Sequence, residues 1–143
     1  MKIVELMTVE QFKSAFPVMR ELRPMDEEEF LSLLQIMTPQ GYRLLAVYED
    51  DNSTAPVALA GFRQSTTLLN GRSIYIQDLV TAEGHRSKGY GKVLIDYIEN
   101  IARGNNCDYL WLTSGIHRND AHNFYEEKGG FKRSSYTFRK YLK

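Results

Sequence analysis

The stretch that most constrains this chain runs from Gln77 to Ile95, QDLVTAEGHRSKGYGKVLI. It reads as a strand, a basic glycine-rich turn and the start of an amphipathic helix. A turn of that kind is built to hold an anion. The first N–H groups of a helix lack intrahelical partners, and the helix dipole puts its positive end at the loop. Two glycines, Gly89 and Gly91, let backbone approach a ligand with no Cβ in the way.

Spacing narrows the anion. A nucleotide P-loop needs Lys-Ser or Lys-Thr directly after its last glycine. Counting from Gly84, the second glycine is Gly89, and Tyr90-Gly91 follows, so that motif is excluded. A dinucleotide fingerprint beginning at Gly89 needs a third glycine where the chain has Leu94. What remains is Arg86-x-x-Gly89-x-Gly91. It resembles the Arg/Gln-x-x-Gly-x-Gly/Ala loop of the GCN5-related N-acetyltransferase (GNAT) family, which holds the pyrophosphate of coenzyme A.

The totals are compatible with such a protein. A chain of 143 residues makes one domain, residues 1–143, with enough length to bury a core unaided. Its hydrophobic content is 43%, its charged content 25% and its net charge zero. A binder of nucleic-acid phosphates is usually strongly basic, so nucleic acid is not an expected partner. No apolar run approaches the roughly 20 residues of a membrane span. No signal peptide is evident after Met1, and the single Cys107 has no internal disulfide partner. A cytoplasmic location is therefore expected.

The elements follow from period and punctuation. Lys2 to Leu6 is a strand. Thr8 with Gln11 forms a capping box, and Phe12, Ala15, Phe16, Met19 and Leu22 make a helix face that Pro17 should kink or split. Asp26 and Glu29 repeat the cap signature before a second helix carrying Phe30, Leu33, Leu34 and Met37. Tyr42 to Tyr48, Val57 to Leu69 and Arg72 to Val80 then form a meander. Its second turn, Asn70-Gly71, suits a type I′ hairpin. After the basic loop, Val93, Leu94, Tyr97, Ile98 and Ile101 mark a helix. Asp108 to Thr113 is apolar on both faces, as a strand in a parallel pair should be. A helix over Ala121 to Lys128 and a final aromatic strand from Phe131 to Leu142 complete the chain.

The order β-α-α-β-β-β-α-β-α-β resembles the whole GNAT fold, an α/β architecture on a mixed sheet. Its fourth and fifth strands splay to make a slot for coenzyme A. A second local match supports the resemblance. Ala121-His122-Asn123-Phe124-Tyr125 through Gly129-Gly130-Phe131 is similar to the family's Ala-x-x-Phe-Tyr-x-x-x-Gly-Phe segment, with one extra glycine. The resemblance implies acetyl-CoA as co-substrate and direct transfer to a primary amine in a ternary complex. It gives Tyr125 the role of protonating the leaving thiolate, for which a phenol of pKa about 10 is suited. It gives a backbone N–H of Leu79 or Val80 the role of holding the acetyl oxygen. It makes Arg86, Ser87, Lys88, Gly89, Tyr90, Gly91 and Lys92 the pyrophosphate cradle. Asn119 stands near the pantetheine-contacting position, although the family's asparagine slot is occupied by Arg118.

A base must accept the amine's proton. Asp78, on an otherwise apolar strand, is the candidate; its other reading is a carboxylate paired with an arginine or with local backbone. Cys107 begins a buried strand with no adjacent base and reads as core. His85, His117 and His122 lack metal-site spacing, so no metal is expected. The acceptor is a small amine or a peptide, with no readable code for which. Two rivals remain at this level: a non-catalytic acyl-CoA-binding domain on the same fold, and an acetyltransferase for protein N-termini or lysines. The aromatic C-terminus also suits a homodimer.

Overall fold

Apolar segments punctuated by turns make five strands in the computed structural model, which describes residues 1–143. They are β1 (Lys2–Leu6), β2 (Arg43–Tyr48), β3 (Ala58–Thr67), β4 (Gly71–Thr81) and β5 (Tyr109–Trp111). All lie in one sheet in chain order. Pairings from β1 to β4 are antiparallel, and β4 with β5 is parallel. The connection from β4 to β5 carries α3 (Tyr90–Gly104), because parallel strands need a crossover.

The sheet is covered on both faces. Leu44, Ala46 and Tyr48 of β2 pack with α1 (Val9–Leu22) and α2 (Glu27–Met37). Leu45 and Val47, pointing the other way, pack with Leu94, Ile95 and Ile98 of α3. Burial on both sides explains why β2 is apolar throughout instead of alternating. The fourth helix, α4 (Asn119–Glu127), lies on the α3 side through Phe124.

The capping box read from the sequence forms as expected at α1. The Thr8 hydroxyl accepts from the Gln11 N–H, and the Gln11 side chain accepts from the Thr8 N–H. Asp26 accepts from the Glu29 N–H at 2.8 Å at the start of α2.

Three expectations are corrected. Pro17 does not split α1, which runs unbroken from Val9 to Leu22. Ala15, Phe16, Val18 and Met19 are buried around it, so tertiary packing carries the helix past the missing N–H. The Asn70-Gly71 hairpin is not type I′. Only Gly71 takes a positive φ, 61°, and Leu68 to Asn70 form a three-residue loop between paired Thr67 and Gly71. The final strand does not form within the chain. Phe131 is tied back by its N–H to the Tyr125 carbonyl, and Arg133 to Glu126. Beyond them Tyr136, Phe138, Tyr141 and Leu142 are each more than three-quarters exposed, Phe138 by 93%. The outer edge of β5 carries no partner strand.

One irregularity shapes the C-terminal half of β4. Gly61 pairs with Asp78, but the next residue, Phe62, pairs with Ile76, so Gln77 is an extra residue in β4. Such a bulge bends its strand and raises the local twist.

Candidate active site

β4 and β5 pair only from Ser73↔Tyr109 to Tyr75↔Trp111. Past Tyr75, β4 goes through its bulge and continues to Thr81 with no strand on that side. A cleft opens there. Its walls are Ile76, Gln77 and Leu79 from β4, Leu112 and Thr113 after β5, Arg23 after α1, and Arg118 and Tyr125 at α4.

Backbone polarity in the cleft follows from strand geometry. Ala82 donates its N–H to the Val57 carbonyl at 2.8 Å, toward β3. N–H groups alternate sides along a strand. Val80 therefore turns its N–H toward β3, and Leu79 turns its N–H to the side from which β5 has withdrawn. By this alternation Leu79, and not Val80, is the residue whose N–H points away from β3.

The basic loop leads from β4 into α3. Ser87 adopts φ 65° and Gly89, the residue before the helix, φ 88°. That left-handed conformation is the reason for glycine at 89, since a Cβ there would meet nothing. No side chain caps the start of α3, and its first turn contains no acidic residue. The first N–H groups of α3 thus lack a side-chain cap, and the loop from Arg86 to Gly89 before them is exposed, the condition for receiving a phosphate. Gly91 has a different reason: a Cβ would lie 3.2 Å from the Phe124 ring, so its absence lets α4 pack onto α3.

The basic side chains of the loop are already partnered. Arg86 donates through Nε to the Thr81 carbonyl at 3.1 Å and through Nη2 to Glu21 at 3.2 Å. Lys88 Nζ stands 3.6 Å from Glu49, and Lys92 pairs with Asp96 at 2.6 Å. The Tyr90 hydroxyl donates to Glu49 at 2.6 Å, which holds the Glu49 carboxyl below its usual range. Arg86 thus braces the loop against α1 through Glu21.

Tyr125 is 9% exposed, with its ring edge-on to Phe124 and Phe131 at 5.6 and 6.0 Å. Burial pushes its phenol above the ordinary range, against the charges of Arg118 and Arg23, which pull it down. The net effect keeps the phenol protonated at neutral pH, the state a proton donor requires.

Asp78 is paired with an arginine. Arg23 donates through Nε to Oδ1 at 2.9 Å, and the Tyr42 hydroxyl donates to Oδ2 at 2.7 Å. Arg23 also donates through Nη2 to the Gln77 carbonyl, at 2.8 Å. Tyr42 is buried, and burial followed by the Asp78 charge raises its phenol well above the usual value. Gly61, opposite Asp78, leaves the space that the Tyr42 hydroxyl fills; a Cβ there would overlap it.

Asn119 opens α4 and is exposed, whereas its neighbour Arg118 reaches the cleft wall. His122 holds the preceding loop through a 2.8 Å contact between Nε2 and the Gly115 carbonyl. Trp111 stacks on Tyr75 at 4.1 Å and donates to Ser73, a packing role. Cys107 is partly buried, and burial raises its thiol, so it is no activated nucleophile. Sequence reasoning does not find Arg23, Tyr42 and Arg118 as site residues. Their local contexts are a turn, a strand start and a helix start; only long-range folding brings Arg23 and Tyr42 to Asp78, while Arg118 stands two helical turns before Tyr125.

The five-stranded mixed sheet, covered by helices on both faces and parted between β4 and β5, is an acyl-CoA N-acyltransferase fold. The sequence matches the Acetyltransferase (GNAT) family over residues 6–131, and the chain belongs to that family. It is an N-acetyltransferase, and members of this family use acetyl-CoA as co-substrate. It is 41% identical over 138 residues to the uncharacterized N-acetyltransferase YhdJ of Bacillus subtilis (strain 168), covering 95% of each chain. The fold is shared with glucosamine-6-phosphate N-acetyltransferase from Arabidopsis thaliana, at TM-score 0.77 and 19% identity over 99% of this chain and 98% of that one. It is also shared with the aminoglycoside acetyltransferase meta-AAC0020 from an uncultured soil metagenomic sample, in complex with sisomicin. There the TM-score is 0.82 at 14% identity, over 99% of this chain and 96% of that one.

Proposed function

We propose that the cleft between β4 and β5 receives the acetyl thioester, with Tyr125 as general acid. The amine lone pair attacks the thioester carbonyl, the new C–N bond forms, and the C–S bond breaks. Tyr125 gives its proton to the departing thiolate, and the amine gives up its proton to water or a base. The N–H of Leu79 takes the carbonyl oxygen, while the backbone of Ser87 to Lys92 takes the pyrophosphate. The single observation that carries this reading is the parting of the strands at Tyr75, with Tyr125 on the wall of the cleft so opened.

The contacts of Asp78 favour a positioning part over that of the base. Its two oxygens are engaged by Arg23 and Tyr42, which hold the carboxylate in place against β3 and the α1–α2 turn. The acceptor in this reading is a small primary amine. The neighbours in fold include enzymes named for a phosphorylated amino sugar and for aminoglycosides, so the fold by itself does not choose among amines. We also place the protein in the cytoplasm and its C-terminal segment in a homodimer.

Calorimetry with acetyl-CoA is expected to give a dissociation constant in the micromolar range, and absence of binding would sink the proposal. Tyr125→Phe should lower kcat about a hundredfold while leaving acetyl-CoA affinity within about twofold. Full turnover in that variant removes Tyr125 as the acid. Binding of acetyl-CoA with no thiol release on any amine would leave a non-catalytic acyl-CoA domain.

A further inference from the structure

The charge on the cleft wall is one-sided. Arg23 and Arg118 both line it, and no carboxylate does. Asp78 stands behind Arg23, its charge already met at 2.9 Å. Arg23 spends Nε and Nη2 on Asp78 and the Gln77 carbonyl, which leaves Nη1 without a protein acceptor. Arg118 forms no ion pair with any carboxylate of the chain, so its charge on the cleft wall is not met by the protein. Its stem rests on Gly115, and the loop that carries it is pinned by His122. Both guanidinium groups line the same cleft as Tyr125.

We propose that the acetyl acceptor is an anionic amine, a small primary amine whose carboxylate or phosphate is held by Arg118 together with the free Nη1 of Arg23. This rests on the reading of the cleft as the acyl-transfer site. A guanidinium fork suits either oxyanion, because both present two oxygens at matching spacing. A polycationic acceptor meets like charge at the same wall, with no carboxylate to receive it. Anchoring the acceptor by its anion also leaves the amine end free to turn toward the thioester.

The test uses the full chain with saturating acetyl-CoA and reads thiol release. Four amines serve as probes: β-alanine and 2-aminoethyl phosphate with anionic tails, ethanolamine with a neutral one, and 1,5-diaminopentane with a cationic one. At least one anionic amine is expected to exceed ethanolamine about tenfold in kcat/KM, the margin of one charge-assisted hydrogen bond. The better of the two names the anion. Arg118→Gln should raise KM for that amine about tenfold, with the KM for acetyl-CoA within about twofold, and Arg118→Lys should recover part of the loss. An equal response to neutral and anionic amines, zero included, overturns the inference, as does preference for 1,5-diaminopentane. A raised KM for acetyl-CoA in Arg118→Gln assigns that guanidinium to the co-substrate and equally overturns it. Calorimetry with acetyl-CoA separates the two levels: binding retained with no anionic preference removes this inference alone, and no binding removes the underlying reading.

Discussion

Gly61 and Tyr42 show how a side chain absent at one position makes room for a function at another. The Tyr42 hydroxyl occupies the space that a Cβ on residue 61 would take, and from there it reaches Asp78. Tyr42 is packed among Leu6, Leu44 and the helices above them, so the ring has nowhere to retreat. Gly61→Ala is expected to destabilise the protein by roughly 2–4 kcal/mol, read as a lowered urea midpoint. Retention of the midpoint would mean that Tyr42 can move. Titration acts at the same scale. Tyr42 and Tyr125 both have phenols raised by burial. A group raised in the folded state leaves stability unchanged below its unfolded pKa and costs stability above it, because the unfolded chain then ionises first. Stability should therefore be flat through neutral pH and fall above about pH 10. With Tyr125 as the acid, kcat should decline on its alkaline side no lower than that.

At the scale of elements, what is local in sequence is legible. The capping box at Thr8 and Gln11 needs only residues three apart, and it forms as read. Thr8→Ala should cost about 1 kcal/mol in chemical denaturation, because it orphans the Gln11 N–H at the start of a helix that roofs the sheet. The uncapped start of α3 is legible too, since its glycine loop sits directly between an apolar strand and a helical face. Pro17 and the Asn70-Gly71 turn depart from their local signals for one reason. Local preference sets what a segment favours alone, and burial of Phe16, Val18 and Met19 or the three-residue loop closed at Thr67 outweighs it here. The bulge at Gln77 leaves no trace in the sequence pattern, since an extra residue in a strand shows only against its partner.

For the molecule as a whole, the segment from Lys132 to Lys143 bears on assembly. It has the aromatic content of a strand but pairs with nothing, and β5 ends the sheet with a bare edge. An exposed aromatic segment and an unpaired sheet edge in one chain favour pairing between chains. Light scattering on a sizing column is expected to give twice the 16.5 kDa chain mass, and removal of residues 132–143 should return the monomer. A monomeric full-length chain would set this aside.

By itself the sequence determined the class of the protein. The order of strands and helices as far as α4, the caps, the Arg86-x-x-Gly89-x-Gly91 loop and the Phe124-Tyr125 pair are all patterns of near neighbours, and near neighbours are what period and spacing report. Only the tertiary structure decided what those patterns surround. It parted β4 from β5 at Tyr75, turned the Leu79 N–H into the gap, and closed Arg23 and Tyr42 onto Asp78 across 55 and 36 residues of chain. Contacts of that separation depend on how the sheet twists and how the helices settle on it, which no local spacing encodes.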